Sequence, residues 1–315
     1  MLLLALIATL VTPARAEEPV RIVAIGDTGI KLTDDPKKEK LASIAEHTLL
    51  QQTVNATEPD VILALGDLYY GFTIFPAGFE RRLHAYWDGF DAPILPVIGN
   101  HERLNLQLMA RLRAEASLRE VFPTAPASDQ RWLVYNYQQD DVCLMVGDSS
   151  KHPRIRVPDA PSSDCAWRIG VLHHAWATTW DKAGEQDAVR EAVAPLSPDL
   201  VVSGHAHQLE MSREENVAAV VSGSGAKTRC TEAPVTLASG ETVTVSCREG
   251  SEMKSVNAGV EPYYAIGQLG FTVIDVYGDR IEVRPHTVIG AVTAAEGCWS
   301  LSRDGSISVS CEATP

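Results

Sequence analysis

Five short apolar runs in the chain each end in a small polar motif that carries aspartate, asparagine or histidine. Uninterrupted apolar runs of this length predict strands that are covered on both faces, as in α/β proteins. The polar residues then follow the carboxyl ends of the strands, where open α/β sheets place their ligand sites. In chain order the five segments are RIVAIGDTG, VILALGDLYY, PILPVIGNHE, RIGVLHHA and LVVSGHAH.

Amphipathic segments alternate with these runs and predict helices. Residues 37–54 carry Leu41, Ile44, Leu49 and Val54 among mostly polar neighbours, which is a helical spacing. The other predicted helices cover residues 78–90, 103–121 and 180–194. The first half of the chain therefore has a βαβα pattern, which indicates the α/β class, and α+β in part because shorter strands follow.

The second half contains further strand-like runs, VVSGSG, GFTVIDVY and RIEVRPHTV. We predict one domain over residues 17–290. Residues 291–315 are predicted to form a small C-terminal β-hairpin appendage.

Six cysteines occur, an even number that favours disulfides in an exported chain. Two pairs flank predicted hairpins, and each pair would staple its own hairpin: Cys230 with Cys247, and Cys298 with Cys311. Cys143 and Cys165 remain, each close to a predicted strand. A set of free buried thiols is the alternative.

The first sixteen residues, MLLLALIATLVTPARA, form an apolar run that ends in an A-x-A sequence. This pattern is typical of a signal peptide and its cleavage site. The alternatives are a membrane anchor or a buried strand, but the run is too short to span a bilayer comfortably. We expect a protein without a membrane span that is exported, either periplasmic or secreted.

The formal net charge is −14, and no block of five or more basic residues occurs. A nucleic-acid partner is therefore not expected. An anionic substrate would have to be captured locally, by the charge of a metal ion rather than by the overall field of the protein.

The donors in the five motifs are carboxylate, amide, phenol and imidazole groups, which suit iron, manganese or zinc. Their order, GDxG, GDxxY, GNH[DE], VxxH and GHxH, resembles that of the small, single-domain purple acid phosphatases of the calcineurin-like metallophosphoesterase superfamily. The resemblance extends from residue 20 to about residue 285. It implies two packed mixed sheets flanked by helices, an αββα sandwich. It also implies hydrolysis of phosphate monoesters, by attack on phosphorus of a hydroxide that two metal ions hold.

The same resemblance implies a role for each motif residue. Asp27, Tyr70 and His207 would bind the first metal; Asn100, His174 and His205 would bind the second; Asp67 would bridge the two. The phenolate of Tyr70 implies Fe(III) at the first position, with Fe(II), Zn(II) or Mn(II) at the second. His101 and Asp67 would be the catalytic residues. His101, Asn100 and His173 would contact the substrate, a phosphorylated small molecule or a phosphoprotein.

Several alternatives remain open from the sequence. The VxxH spacing favours His174 as the ligand, and strand alternation would turn His173 to the other face, but both are histidines. Tyr69 is the alternative to Tyr70, and Gly147-Asp148 imitates the GD motifs without a matching role. Many purple acid phosphatases carry a further histidine after VxxH, whereas residues 175–184 contain none.

Two other functions remain possible for the same motifs. One is a phosphodiesterase or pyrophosphatase on the same scaffold, which would need room beside the metals for a second ester group. The other is a protein that binds phosphate or metal without catalysis. Such proteins usually lack a ligand, whereas all seven expected ligand positions are filled here.

Overall fold

The computed structural model describes residues 18–29, 41–70, 76–103, 118–124, 126, 134–151, 153–161, 164–180, 183–257 and 259–309. The predicted signal peptide and the predicted partner of Cys298, Cys311, lie outside the described residues. So does the middle of the predicted helix 103–121, of which residues 103 and 118–121 are described and helical.

The first large sheet joins the two ends of the chain. Three parallel N-terminal strands form one side, with β1 pairing with β2 and β2 with β3; these are β1 (Val20–Ile25), β2 (Val61–Ala64) and β3 (Ile94–Pro96). C-terminal strands complete the sheet; these are β16 (Leu269–Val276), β17 (Arg280–Ile289), β18 (Val292–Ala295), β19 (Trp299–Ser302) and β20 (Ile307–Val309). Strand β16 lies antiparallel to β1, with Val20 opposite Val276.

The second large sheet is built from the middle of the chain. Its strands are β4 (Tyr135–Gln139), β5 (Val142–Val146), β6 (Trp167–Val171), β7 (Leu200–Ser203), β8 (Leu209–Glu214), β9 (Val217–Ser222), β13 (Ser246–Cys247) and β15 (Pro262–Gly267). They lie in the order β13-β15-β8-β9-β7-β6-β5-β4. Strands β5, β6, β7 and β9 are parallel neighbours, so their carboxyl ends reach the same edge.

Two small sheets lie between β9 and β15. They pair β10 (Arg229–Thr231) with β14 (Glu252–Lys254), and β11 (Val235–Thr236) with β12 (Thr242–Val243). The predicted Cys230–Cys247 disulfide is present in this region. The remaining pair, Cys143 and Cys165, also forms a disulfide, which joins β5 to the segment before β6.

Helices cover the outer faces of the two sheets. They are α1 (Ile44–Ala56), α2 (Pro76–Trp87) and α3 (Ala183–Val193), followed by a 3₁₀ turn at Ala194–Leu196. Helix α1 begins later than the predicted residue 37. Ser43 caps it, since its hydroxyl accepts from the Glu46 N–H while the Glu46 carboxylate accepts from the Ser43 N–H. This reciprocal pair is a capping box, which fixes the first turn.

The two sheets pack face to face in one hydrophobic core. Ile22 and Ile274 of the first sheet belong to the same buried cluster as Ile169 and Val220 of the second. Helix α3 packs Val189 on the other face of the second sheet. The predicted sandwich of two mixed sheets flanked by helices is thus confirmed. No helix in the described part of the chain has both the length and the apolar content to cross a membrane.

The C-terminal hairpin pairs β19 with β20, and β19 in turn pairs with β17. The hairpin therefore continues the first sheet. The predicted domain boundary at residue 290 stays a prediction.

Candidate metal centre

Both sheets contribute the polar motifs to one site. Asp27 and Asp67 follow β1 and β2 of the first sheet, and Asn100 follows the segment after β3. His173 follows β6 of the second sheet, and His205 follows β7. Because the sheets are stacked, the two sets of strand ends meet at one edge of the sandwich.

The residues predicted for the first metal lie in mutual contact. The Tyr70 hydroxyl lies 3.0 Å from Asp27 Oδ1 and 3.0 Å from His207 Nε2. The distance between His207 Nε2 and Asp27 Oδ1 is 3.1 Å. Three donor atoms from three loops thus converge on one point. The structure therefore brings together Asp27, Tyr70 and His207, the ligands predicted for the first metal.

A second group forms beside the first around His173. Its Nε2 atom lies 3.1 Å from Asn100 Oδ1 and 3.2 Å from His205 Nδ1. The same atom is 3.4 Å from Asp67 Oδ1, while His173 Nδ1 is 2.8 Å from the carbonyl oxygen of Leu65. The Leu65 contact fixes the orientation of the ring, as an outer partner commonly does for a ligating histidine.

His174, the ligand predicted from the VxxH spacing, lies next to this group. Its Nδ1 lies 3.1 Å from Ser149 Oγ, and its ring lies against the ring of His205 with centroids 4.2 Å apart. The strand-alternation argument does not apply, because β6 ends at Val171, before both histidines. His173 shares closely spaced donor atoms with Asp67 and His205, and His174 shares another set with Glu185 and His205, so the assignment of His174 as a ligand stays a prediction.

Asp67 lies between the two groups, as a bridging carboxylate requires. It shares one set of closely spaced donor atoms with His173 and His205, and another with Asp27 and His207. Its Oδ1 also accepts a 2.9 Å hydrogen bond from the backbone N–H of His101.

His101 has 37% of its side chain exposed, whereas Asp27, Asp67 and His207 are buried. Its Nε2 lies 3.8 Å from Asp67 Oδ2, and its ring packs edge-on against Tyr70. His101 therefore lies on the solvent side of the predicted bridge, where a substrate could reach it.

Backbone geometry contributes to this convergence. Four donor residues have a positive φ, a backbone conformation that costs energy for residues other than glycine. They are Asp27 (55°), Asp67 (50°), His205 (66°) and His207 (56°). Neighbouring glycines leave the necessary room. A Cβ atom on Gly204 or Gly223 would lie 2.7 Å from Asp27 Oδ2.

Two carboxylates outside the predicted set hold the loops in place. Glu102 is fully buried and accepts hydrogen bonds from the backbone N–H groups of Asp67 (2.8 Å), Gly99 (2.9 Å) and Tyr69 (3.2 Å). Glu185, near the start of α3, lies 3.2 Å from His205 Nε2, on the side of the ring away from His173. Sequence reasoning missed the role of both, although Glu102 is the fourth residue of GNHE.

The electrostatics of the buried donors fit a cation. Burial and the nearby Asp27 raise the pKa of Asp67 well above its ordinary value. Burial and the same carboxylate also raise the pKa of Tyr70 well above 10. Burial lowers the pKa of His207 to about 4. The raised pKa values of Asp67 and Tyr70 mean that the site compensates their charged forms incompletely, and bound metal ions would supply the missing positive charge.

Two basic side chains from the segment after β9 border the site. Arg229 donates from Nη1 to the carbonyl oxygen of His205 at 3.0 Å, and its guanidinium lies 4.0 Å from the centre of the Trp180 ring. Lys227 lies two residues earlier, with a half-buried side chain. The sequence shows these residues only as part of a loop-like GSGAKTR run.

Comparison with known families gives one match, to the model described as calcineurin-like phosphoesterase, over residues 20–209. Among curated proteins, none matches the chain.

Solved structures with the same fold include a purple acid phosphatase, PPD1, from yellow lupin seeds (14% identity, TM-score 0.60). The alignment covers 95% of this chain and 57% of the lupin chain, so this chain spans little more than half of that protein. PhoD is similar at 11% identity and a TM-score of 0.61, over 96% of this chain and 73% of PhoD. GAP50, the anchor in the inner membrane complex of Plasmodium, is similar at 11% identity and a TM-score of 0.55, over 89% of both chains. At these identities the likeness concerns the fold alone.

Proposed function

Because the chain belongs to the calcineurin-like phosphoesterase family, we propose that it is an exported phosphatase that hydrolyses phosphate monoesters with two metal ions. One observation carries the proposal. Among the described residues, two three-residue donor groups share the Asp67 carboxylate, one with Asp27 and His207 and the other with His173 and His205. Such an arrangement suits a pair of ions that share one carboxylate.

The proposed ligands follow the geometry. The first ion would be held by Asp27, Tyr70 and His207, the second by Asn100, His173 and His205, and both by Asp67. The assignment keeps the predicted set except that His173 takes the place of His174. His174 would instead lie beside the second ion, against the ring of His205.

Metal ions bound there would supply Lewis acidity at the phosphoryl oxygens and would acidify a water nucleophile. The chain's own residues orient the reaction. We assign His101 to the leaving-group side, because its side chain is 37% exposed and its Nε2 lies 3.8 Å from Asp67 Oδ2. Glu102 fixes the Asp67 and Gly99 backbone, so the bridge and the GNHE loop keep a constant spacing.

The phenol of Tyr70 favours Fe(III) at the first position, since a trivalent ion stabilises the anion most strongly. Fe(II), Zn(II) or Mn(II) would occupy the second. Two disulfides are consistent with the proposed export, since disulfides persist in oxidising compartments.

The test uses purified protein with its metal content measured, and the variant Asp67→Asn. We expect wild type to hydrolyse p-nitrophenyl phosphate and the variant to lose both ions' tight binding and more than about tenfold in turnover. Asp148→Asn is the matched control, because Asp148 also follows a strand in a Gly-Asp pair, but its carboxylate contacts only Ser150 among the hydrogen bonds of the described residues.

Three results would contradict the proposal in whole or in part. Retention of two tightly bound ions and full turnover in Asp67→Asn would remove the bridging role. Absence of any phosphoester hydrolysis by metal-loaded wild type would indicate a protein that binds phosphate or metal without catalysis. Faster hydrolysis of bis(p-nitrophenyl) phosphate than of the monoester would indicate a phosphodiesterase.

A further inference from the structure

The segment 223–229 crosses the loops that carry the donors. The Gly225 N–H donates to the carbonyl oxygen of Gly26 at 2.9 Å, beside Asp27. The Arg229 N–H donates to the carbonyl oxygen of His207 at 2.7 Å. Lys227 lies between these two anchors, so its backbone is fixed at the rim of the site and close to the first donor group.

Arg229 already has partners for most of its guanidinium. It donates to the His205 carbonyl oxygen and, from Nε, to Glu252 Oε2 at 3.0 Å, and it stacks on Trp180. These contacts hold the loop of His205 in place. Arg229 is therefore a positioning residue, and its charge reaches a ligand only as part of the local field.

The Lys227 side chain makes a weaker contact than that of Arg229. Its Nζ lies 3.9 Å from Glu252 Oε2, at the outer limit of an ion pair, and 31% of its side chain is exposed. The same carboxylate also pairs with Arg229 and, at 2.8 Å, with Lys254. Three cations thus share one carboxylate, which leaves a local excess of positive charge at the rim of a chain whose net charge is −14.

The charge of Lys227 reaches the donor groups. It favours the ionised form of Asp67 and so acts to lower the pKa of that carboxyl group. It disfavours the charged forms of His101 and His207 and so acts to lower their pKa values as well. The geometry agrees, because the Glu252 carboxylate beside the ammonium group accepts from Arg229, and Arg229 donates to the His205 carbonyl oxygen. Residues 175–184 contain no histidine that could take this role.

We propose that Lys227 binds the phosphoryl oxygen that the metal ions leave uncovered and thereby selects monoesters over diesters; this inference rests on the proposed function. A monoester dianion has three non-bridging oxygens, of which two metal ions and their ligands can cover two. The third carries charge and meets the ammonium group. In a diester this position holds a neutral ester group, which would leave the Lys227 charge without a partner.

The test compares Lys227→Gln with wild type on p-nitrophenyl phosphate, on bis(p-nitrophenyl) phosphate and in calorimetric binding of inorganic phosphate. For the loss of one charge-assisted hydrogen bond, we expect monoester kcat/KM and phosphate affinity each to fall about tenfold. Diester kcat/KM should change by less than about twofold, because a diester has no third charged oxygen. Lys227→Arg should recover part of the loss.

Lys254→Gln is the matched control, because Lys254 pairs with the same Glu252 carboxylate and is exposed to a similar extent, 33%. It should leave all three measurements close to wild type. Equal losses on monoester and diester, or an effect of Lys254→Gln as large as that of Lys227→Gln, would overturn the inference. Unchanged phosphate affinity in Lys227→Gln would also overturn the inference. This binding measurement remains informative even if wild type hydrolyses neither ester and the proposed function fails.

Discussion

The buried Glu102 carboxylate accepts a hydrogen bond from the backbone N–H of Asp67 at 2.8 Å. It joins the GNHE loop to the GD loop that carries the proposed bridge. The same carboxylate oxygen accepts from Gly99, and the other accepts from Tyr69. One side chain therefore sets the spacing between donors that are far apart in the sequence.

Glu102→Gln should weaken metal binding and lower kcat/KM by at least about tenfold. The amide has one acceptor oxygen instead of two, so at least one buried N–H loses its partner, at a cost of about 1–3 kcal/mol. Metal dissociation constants and turnover check this expectation. Glu120→Gln, an exposed position on the helical turn 118–121, is the control. Wild-type metal affinity in Glu102→Gln would contradict the positioning role.

His173 and His174 can be separated by metal stoichiometry. His173→Ala should lose the second ion, because Nε2 of His173 contacts Asn100, His205 and Asp67. His174→Ala should keep both ions, since His174 faces Ser149. Elemental analysis of both variants decides the matter. Two ions in His173→Ala, with one in His174→Ala, would restore the assignment that the VxxH spacing favoured.

The colour of the iron-loaded protein tests Tyr70. A phenolate bound to Fe(III) should give a visible charge-transfer band, although burial and Asp27 raise the pKa of Tyr70 and keep the phenol protonated without a cation. Tyr70→Phe keeps the ring and should bleach the band while some hydrolysis survives.

Tyr69→Phe is the control for the colour. The Tyr69 hydroxyl accepts from Arg82 at 2.7 Å, so its loss removes a contact away from the donors and should leave the band intact. Colourless iron-loaded wild type, or a coloured Tyr70→Phe, would show that the tyrosinate assignment is wrong.

Stability should fall as pH rises because of Glu210. This buried carboxyl contacts the Thr178 hydroxyl and the Thr179 N–H, and burial raises its pKa to about 7 from 4.5. A raised carboxyl pKa means that the native state holds its proton longer than the unfolded state does. The associated stability is complete below pH 4.5 and is lost as pH rises through about 7.

Urea unfolding at pH 5 and pH 7 measures this effect. Between these pH values wild type should lose about 2 kcal/mol more of its free energy of unfolding than Glu210→Gln does. The glutamine cannot ionise, yet it can still accept from the Thr179 N–H. Parallel pH dependence in the two proteins would show that Glu210 does not titrate in this range.

The strand ends and most donors were predictable from the sequence. Apolar runs such as that of β2 have every residue buried, so the run itself shows where the strand lies. The motif that follows must then lie at the sheet edge, which is why Asp27, Asp67 and His205 converge as expected.

Other features depend on contacts between distant segments and could not be read locally. Lys227 and Glu185 acquire their positions from the packing of loops and of α3 around the site. The choice between His173 and His174 depends on how the chain turns after Val171, where the strand period no longer applies. The start of α1 was readable in principle, since Ser43 and Glu46 have capping-box spacing, but the apolar periodicity suggested an earlier start.

The pairing of β1 with β16 has a consequence for the newly synthesised chain. All seven predicted ligands have left the ribosome once residue 207 has emerged, yet the strand before Asp27 still lacks its antiparallel neighbour, because Val20 pairs with Val276. Until then β1 presents an open, apolar edge that invites pairing with other chains. Nascent or truncated chains that end soon after residue 209 should therefore depend on chaperones and aggregate, although they contain every proposed ligand.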